Sequence, residues 1–195
     1  MASIFQDLLS KMSSSQAFTK SSDNATEWLK NNVVKQSATI NTKNIIGQMR
    51  ERHVTKVSAG KMYLFGYDAK TKDTLPYYDM YPLIFPFKKA QDGFYGINMH
   101  YLPYRQRALL MDALYPFISD DNNDEMSRLR ISYSILKKFS RSNLIKPCIK
   151  RYLNKHIKTK ISLVLPNEWN HALFLPLHRF EGASTKQVYK DSLQK

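Results

Sequence analysis

A chain of 195 residues that is 43% hydrophobic and 12% aromatic holds enough apolar material for one domain with appendages or two small domains, and argues against wholesale disorder. Its 30 lysines and arginines against 16 acids leave a formal charge of +14, so the first partners to weigh are polyanions: nucleic acid, an anionic membrane surface or an acidic protein. The single cysteine, Cys148, excludes an internal disulfide and any multi-cysteine zinc or iron–sulfur site, and no stretch approaches the roughly 20 apolar residues of a membrane span.

The opening "MASIFQDLLSKM" lacks the charged start and continuous apolar run of a secretory signal, which suits a soluble protein kept in, or assembled from, a cell's interior. Within it Ile4, Phe5, Leu8, Leu9 and Met12 fall at helical spacing. The serine-rich runs "SKMSSSQ" and "TKSSDN" follow as linkers. Asn24 and Glu27 then have the spacing of a capping box, with Trp28, Leu29 and Val33 on the apolar side of the helix they start. A third helix is expected from about Thr42 to Arg52, turning Ile45, Ile46 and Met49 inward, with Gly47 weakening it. Residues 1–58 therefore read as a helical appendage, packed on a neighbour or on its own domain, ahead of a compact domain at 59–195.

From Gly60 the pattern becomes that of strands. "KMYLFGYDA" is rich in Tyr, Phe and Leu and is followed by the polar turn "KTKD". The next stretch, "TLPYYDMYPLIFPFKKA", carries Pro76, Pro82 and Pro86, so it is expected to be kinked or to lie at an edge, because each proline removes a ladder donor. "QDGFYGINMHYL" supplies an Asp-Gly turn signal at 92 and 93 and then another strand. Three or more short aromatic strands predict a small antiparallel sheet or partial barrel.

After Pro103 the helical period returns in "YRQRALLMDALYPF", which places Leu109, Leu110, Ala113 and Leu114 on one side. The acidic loop "SDDNNDE" caps a helix from about Glu125 to Phe139 that buries Leu129, Tyr133, Leu136 and Phe139. A further helix is expected from Pro147, burying Ile149, Tyr152, Leu153, His156 and Ile157. The tail holds a short strand at 161–165, an apolar run at 172–177 and a polar last dozen residues.

Charge is distributed unevenly along this pattern. From Arg128 to Lys160 there are eleven basic residues and no acid: Arg128, Arg130, Lys137, Lys138, Arg141, Lys146, Lys150, Arg151, Lys155, Lys158 and Lys160. On a helix from Pro147, Lys146, Lys150 and Lys158 fall near one line and Arg151, Lys155 and Lys158 along the next, so the charges face outward together. Like charges four apart destabilise a helix by roughly 0.2–0.5 kcal/mol per pair, so an anion that neutralises them is favoured. Phosphates do this and release condensed counterions, with no need to read bases. Against this stands the plain reading of a solvated basic face, and Tyr133, Phe139 and Tyr152 sit where core residues belong rather than where bases stack.

Catalysis finds little support. Asp68, Asp73 and Asp79 with His100 suggest a nuclease metal site, but their spacing matches no metal motif and turn-forming Asp is the ordinary explanation. His171 and His178 read as packing or surface residues. Cys148 has cationic neighbours that lower a thiol's pKa, yet reads as a small buried hydrophobe. No phosphate loop, dinucleotide fingerprint or nucleophile elbow is present, and no cofactor is expected.

Three stretches, "KMYLFGYDAKTKDTLPYYDMYPLIFPF", "GFYGINMHYLP" and "ALFLPLHRFEGASTKQVYKDS", resemble proteins of large contractile-tailed bacteriophages in the DNA end-protector group. The resemblance covers about residues 60–190 and carries no catalytic residues. It implies a virion protein, made in the host cytoplasm and located at the head–tail junction or in the tail, that sits on the double-stranded ends of packaged DNA and shields them from exonucleases. Other neck or tail proteins are then expected partners, and a membrane is not. A neck or baseplate protein acting only through protein contacts fits the same aromatic sheet. The combined expectation is a non-enzymatic α+β protein: a small aromatic-rich antiparallel sheet or partial barrel, basic C-terminal helices that contact DNA through its phosphates, and helical N-terminal appendages.

Overall fold

The computed structural model describes residues 40–110, 133–134, 137–138, 141, 143 and 145–194. The helices expected at 4–12 and 24–33 lie outside these residues, as do Ala113, Leu114, Leu129, Leu136 and Phe139.

The described chain is α+β. Helix α1 (Thr42–Gln48) starts at Asn41, whose side chain accepts the Asn44 amide at 3.2 Å, and it buries Ile45 and Ile46, with Met49 buried just beyond its end. A 3-10 turn leads into β1 (His53–Val54), followed by β2 (Met62–Leu64), β3 (Tyr78–Asp79), β4 (Leu83–Ala90) and β5 (Gly93–Asn98). Residues 104–110 form helix α2, and residues 133, 134, 137 and 138 are helical. Then come β6 (Ile149–Leu153), β7 (Ile161–Val164), helix α3 (Trp169–Phe174), β8 (Phe180–Glu181) and helix α4 (Thr185–Leu193). Six strands make one antiparallel sheet in the order β1-β7-β2-β4-β5-β6, and β3 pairs with β8 in a second.

Alternation along the strands divides the core in two, because successive side chains point to opposite faces. Met62, Leu64, Leu83, Phe85 and Ile97 join the larger cluster with Ile45, Ile46 and Met49 from α1, Trp169 and Leu173 from α3, and Val188 from α4. Tyr63, Phe65, Ile84, Phe94, Tyr152 and Ile161 form a smaller cluster on the other face. There Phe65 and Tyr67 both meet the Tyr152 ring edge to face, at centroid distances of 5.5 and 5.0 Å. Such contacts each add about 0.5–1.5 kcal/mol beyond area burial. The sheet curls over this aromatic cluster, and an isolated bridge from Tyr67 to Ile157 ties the chain after β6 to the chain after β2 without closing a barrel. Residues 40–54 enter the larger core and supply β1, so the packed body begins ahead of residue 59.

The prolines behave as their chemistry requires. The stretch 74–90 is not one strand, and Pro86 lies inside β4 at a register irregularity between Pro86 and Lys88. There β4 has passed its pairing with β2, which covers only Leu83 and Ile84, so the position is locally an edge and no ladder donor is missed.

The segment 146–160 is not the helix that its apolar spacing predicted. Lys146–Cys148 is a 3-10 turn, Ile149–Leu153 is an edge strand and Asn154–His156 is another 3-10 turn. Two physical reasons favour the strand. The like-charged pairs Lys146/Lys150 and Arg151/Lys155 would stand four apart on a helix, whereas a strand alternates its charges between faces. The neighbouring β5 also offers an open ladder with Gly93 opposite Leu153 and Phe94 opposite Tyr152. Tertiary pairing outweighs a weak helical preference.

Two further differences concern helices. On α2 it is Arg107, not Leu109, that shares the buried side with Leu110; Leu109 is 57% exposed. The polar tail forms α4, capped by Ser184, whose Oγ accepts the Gln187 amide. The capping pattern Ser184-x-x-Gln187 was visible in the sequence, but the mostly polar face around Val188 hid the helix.

Glycine is obligatory where β5 meets β6: a Cβ on Gly93 would stand 1.8 Å from the Tyr152 carbonyl oxygen. Gly93→Ala is expected to force β6 off the sheet and lower stability by about 2 kcal/mol. A urea midpoint equal to that of the unsubstituted protein would show that β6 is not held this closely.

Candidate nucleic-acid interface

Correcting the helix to a strand redistributes the basic residues. Arg128 and Arg130 lie outside the described residues. Lys137 and Lys138 are exposed on the helical segment, with Lys137 Nζ 5.9 Å from the Tyr133 ring centroid. Arg141 is exposed in the turn after it, and Lys146 donates to Asn143 Oδ1 at 2.9 Å. Lys150 and Arg151 are adjacent on β6 and therefore point to opposite faces. Lys150 Nζ lies 4.2 Å from the centroid of the Tyr101 ring, and Arg151 Nη2 donates to Asp92 Oδ1 at 2.6 Å. Lys155 is exposed in the turn after β6, Lys158 Nζ stands 3.8 Å from Asp68 Oδ2, and Lys160 is exposed just before β7. The single outward stripe is thus absent.

What the fold gathers instead is a rim around one cleft. The strand end of the β4–β5 hairpin carries Lys88 and Lys89, and the segment after β1 carries Lys56. All three line a cleft of about 620 Å³ together with Tyr133 and Asn154. Lys137 reaches this rim through Tyr133, and Asn154 donates its amide to the Asp92 carbonyl, which brings Arg151 and Lys155 to the neighbouring corner. Of the residues singled out from sequence, Lys137 stands beside the Tyr133 wall of this cleft and Lys155 follows its Asn154, while Lys146 and Lys158 belong elsewhere. Lys56, Lys88 and Lys89 were missed because they fall outside the acid-free run; the doublet Lys88-Lys89 at a hairpin was the available signal.

Among the described residues no acid lines this cleft. The Arg151 guanidinium holds the exposed Asp92 carboxyl below the usual carboxylate range. Both partners are about half exposed, so solvent screens the pair, and four of the five guanidinium donors remain for other acceptors. Asp68 is likewise held low, first by its hydrogen bond from Lys72 and then by Lys158.

Asp79 and His100, suspected of metal chemistry, do meet, but inside the core. The His100 Nδ1 lies 2.7 Å from Asp79 Oδ2, which also accepts from Asn98 at 3.1 Å, while Asp79 Oδ1 accepts the amides of Tyr81 and Arg179. Burial alone would raise the Asp79 carboxyl, but the His100 ring and the Asn98 amide more than offset it and hold the group ionised. Burial lowers His100, so the ring stays neutral and donates from Nδ1. Asp68 lies outside this cluster, hydrogen-bonded to Lys72, and among the described residues no group of three or more His, Cys, Asp or Glu is arranged to hold a metal ion. Cys148 is buried, and burial pushes its thiol up to about 12 against the smaller opposing pull of Lys150. Among the described residues no helix is long and apolar enough to cross a membrane.

The model of one protein family, described as the phage T4 terminal DNA protecting protein, matches residues 6–193. No curated protein and no solved structure matches the chain.

The buried histidines set the response of the fold to acid. His178 packs against His100 at a ring-centroid distance of 5.4 Å, and burial holds its pKa well below the ordinary value. Both rings are neutral when folded, whereas in the unfolded chain they take up protons near pH 6.5. Their contribution to stability is present above that pH and is lost as the pH falls below it; the lowered Asp79 carboxyl adds a loss in the same direction at more acidic pH. The urea midpoint should drop between about pH 7 and about pH 5, and His178→Gln should flatten the drop. A midpoint that does not change over this interval would show that the rings are already solvated.

Proposed function

The chain belongs to the family of the phage T4 terminal DNA protecting protein, and from that premise we propose that it occupies the ends of packaged double-stranded DNA in the virion, near the head–tail junction or in the tail. It grips them through phosphates and blocks exonucleases sterically, without chemistry of its own. The carrying observation is the lysine rim formed by Lys56, Lys88 and Lys89 around one cleft, with Lys137 beside its Tyr133 wall and Lys155 next to its Asn154.

The physical reasoning is that of backbone recognition. Lysines are point charges on flexible stems, suited to following phosphates and poor at reading base edges. Affinity from such contacts comes from counterion release and carries no sequence preference, as a protein that meets whichever sequence lies at a terminus requires. A nuclease that loads at a free end is excluded once that end is covered. Proteins of the neck or tail remain the expected neighbours of such a complex.

Two measurements test this. Replacing Lys88, Lys89 and Lys155 by Gln should reduce the slope of log affinity against log salt for blunt duplex by about 0.9 for each phosphate contact removed. An unchanged slope would take these residues out of the interface. Linear duplex saturated with the full chain should survive an end-dependent exonuclease that degrades the free duplex; degradation at the free rate under saturation would end the shielding role.

A further inference from the structure

A second cleft, of about 490 Å³, lies on the other side of the Asp92–Arg151 pair. Its walls are the segment 67–79 and the edge strand β6. That volume lies within the range that encloses a small ligand and is far too small for a duplex. Resting on the end-binding reading above, we propose that this cleft takes the unpaired terminal nucleotide of a DNA strand, its base against the half-buried Tyr77 ring and its phosphate against the cationic lip.

The lining has the two chemistries such a ligand needs. The half-buried Tyr77 contributes aromatic surface, with Tyr78 and Tyr101 buried behind it, and Lys70, Lys150 and Arg151 contribute positive charge. The rings are held in place. The Tyr78 hydroxyl lies 3.3 Å from Glu181 Oε2 and 3.4 Å from Asp68 Oδ1, and Tyr77 packs at 6.1 Å from Tyr101 and edge-on to Phe180. Tyr78 is buried and backs the cleft, whereas Tyr77 is the ring left partly open to it. Burial raises the Tyr77 and Tyr78 hydroxyls to about 12, so neither turns anionic and repels a phosphate at neutral pH. Lys150 Nζ already sits over the Tyr101 ring at 4.2 Å, a cation placed beside an aromatic surface.

Acidic groups in the same cleft do not oppose an anion. The Asp79 carboxylate is turned into the core and satisfied there, and the half-exposed Asp92 carboxylate is paired with the Arg151 guanidinium. Leu75, 41% exposed at the lip, offers apolar contact to a base edge without ordering a polar group. Arg151 lines this cleft and pairs with Asp92, whose backbone carbonyl accepts the amide of Asn154 from the first cleft. In this proposal a duplex whose phosphates follow the lysine rim presents its frayed end to the second cleft.

The test compares the full chain on a blunt duplex and on the same duplex carrying a few unpaired nucleotides at its ends, at fixed salt. The tailed duplex should bind about tenfold tighter, the effect expected for stacking one base on an aromatic ring. Tyr77→Ala should bring the ratio of the two affinities close to one, and the exposed double substitution Lys70→Gln with Leu75→Ser should do so in part even if Tyr77→Ala fails to fold. A ratio near one in the unsubstituted protein with blunt duplex still bound would overturn the terminal-nucleotide site and leave the end-binding role standing. A ratio that survives both variants overturns it too, because the preference then arises outside this cleft. Absence of binding to either duplex would remove both readings.

Discussion

The interior of this protein is organised around two opposite charges on either side of a neutral histidine. Arg107 of α2 is fully buried, and its guanidinium donates to the carbonyls of Leu102, Leu173 and His100 and to the Tyr189 hydroxyl, with the Tyr104 ring 4.6 Å away. Asp79 of β3 collects the opposite charge under four donors. An isolated buried ion is strongly unfavourable, and each of these is tolerated because it is itself held by four hydrogen bonds. The arrangement fastens α2, the turn after β5, α3 and α4 to the small β3–β8 sheet. Those elements in turn fix the far wall of the second cleft, so the surface geometry is inherited from the core polar network.

This network explains why parts of the chain were legible and others were not. The aromatic and aliphatic content of β2, the Asp-Gly hairpin, the strand at 161 and the inward face of α1 follow from local composition, period and turn chemistry, and the structure bears them out. Cys148 likewise proved to be a buried small hydrophobe. Arg107 was not legible, because a basic residue in an amphipathic helix reads as solvent-facing unless its acceptors are known, and those acceptors come from residues up to 82 positions away. The segment 146–160 failed for a related reason: its apolar spacing suits a helix as well as a strand, and the deciding factor was the glycine-containing ladder of β5. Its basic content was visible from sequence; the assembly of that charge with Lys56, Lys88 and Lys89 required the hairpin and the curl.

The edge position of β6 gives its cations a role even without a ligand. An outer strand with unpaired backbone groups invites pairing with another sheet, and alternating Lys150 and Arg151 discourage it. Blunting an edge and attracting phosphates draw on the same charges. The family match and the lysine rim are independent observations that point to a polyanion, whereas charge at a strand edge by itself points only to solubility.

The strand order has a bearing on synthesis. β7 lies between β1 and β2, so the first two strands have no direct pairing with each other and wait for a segment about a hundred residues later. Thr42 donates to the Leu177 carbonyl and Arg179 to that of Ile40, tying the beginning of the described chain to its last quarter. On the ribosome, a nascent chain that has not released residues 161–179 lacks the shared partner of β1 and β2, and this sheet stays unfinished until that segment has emerged.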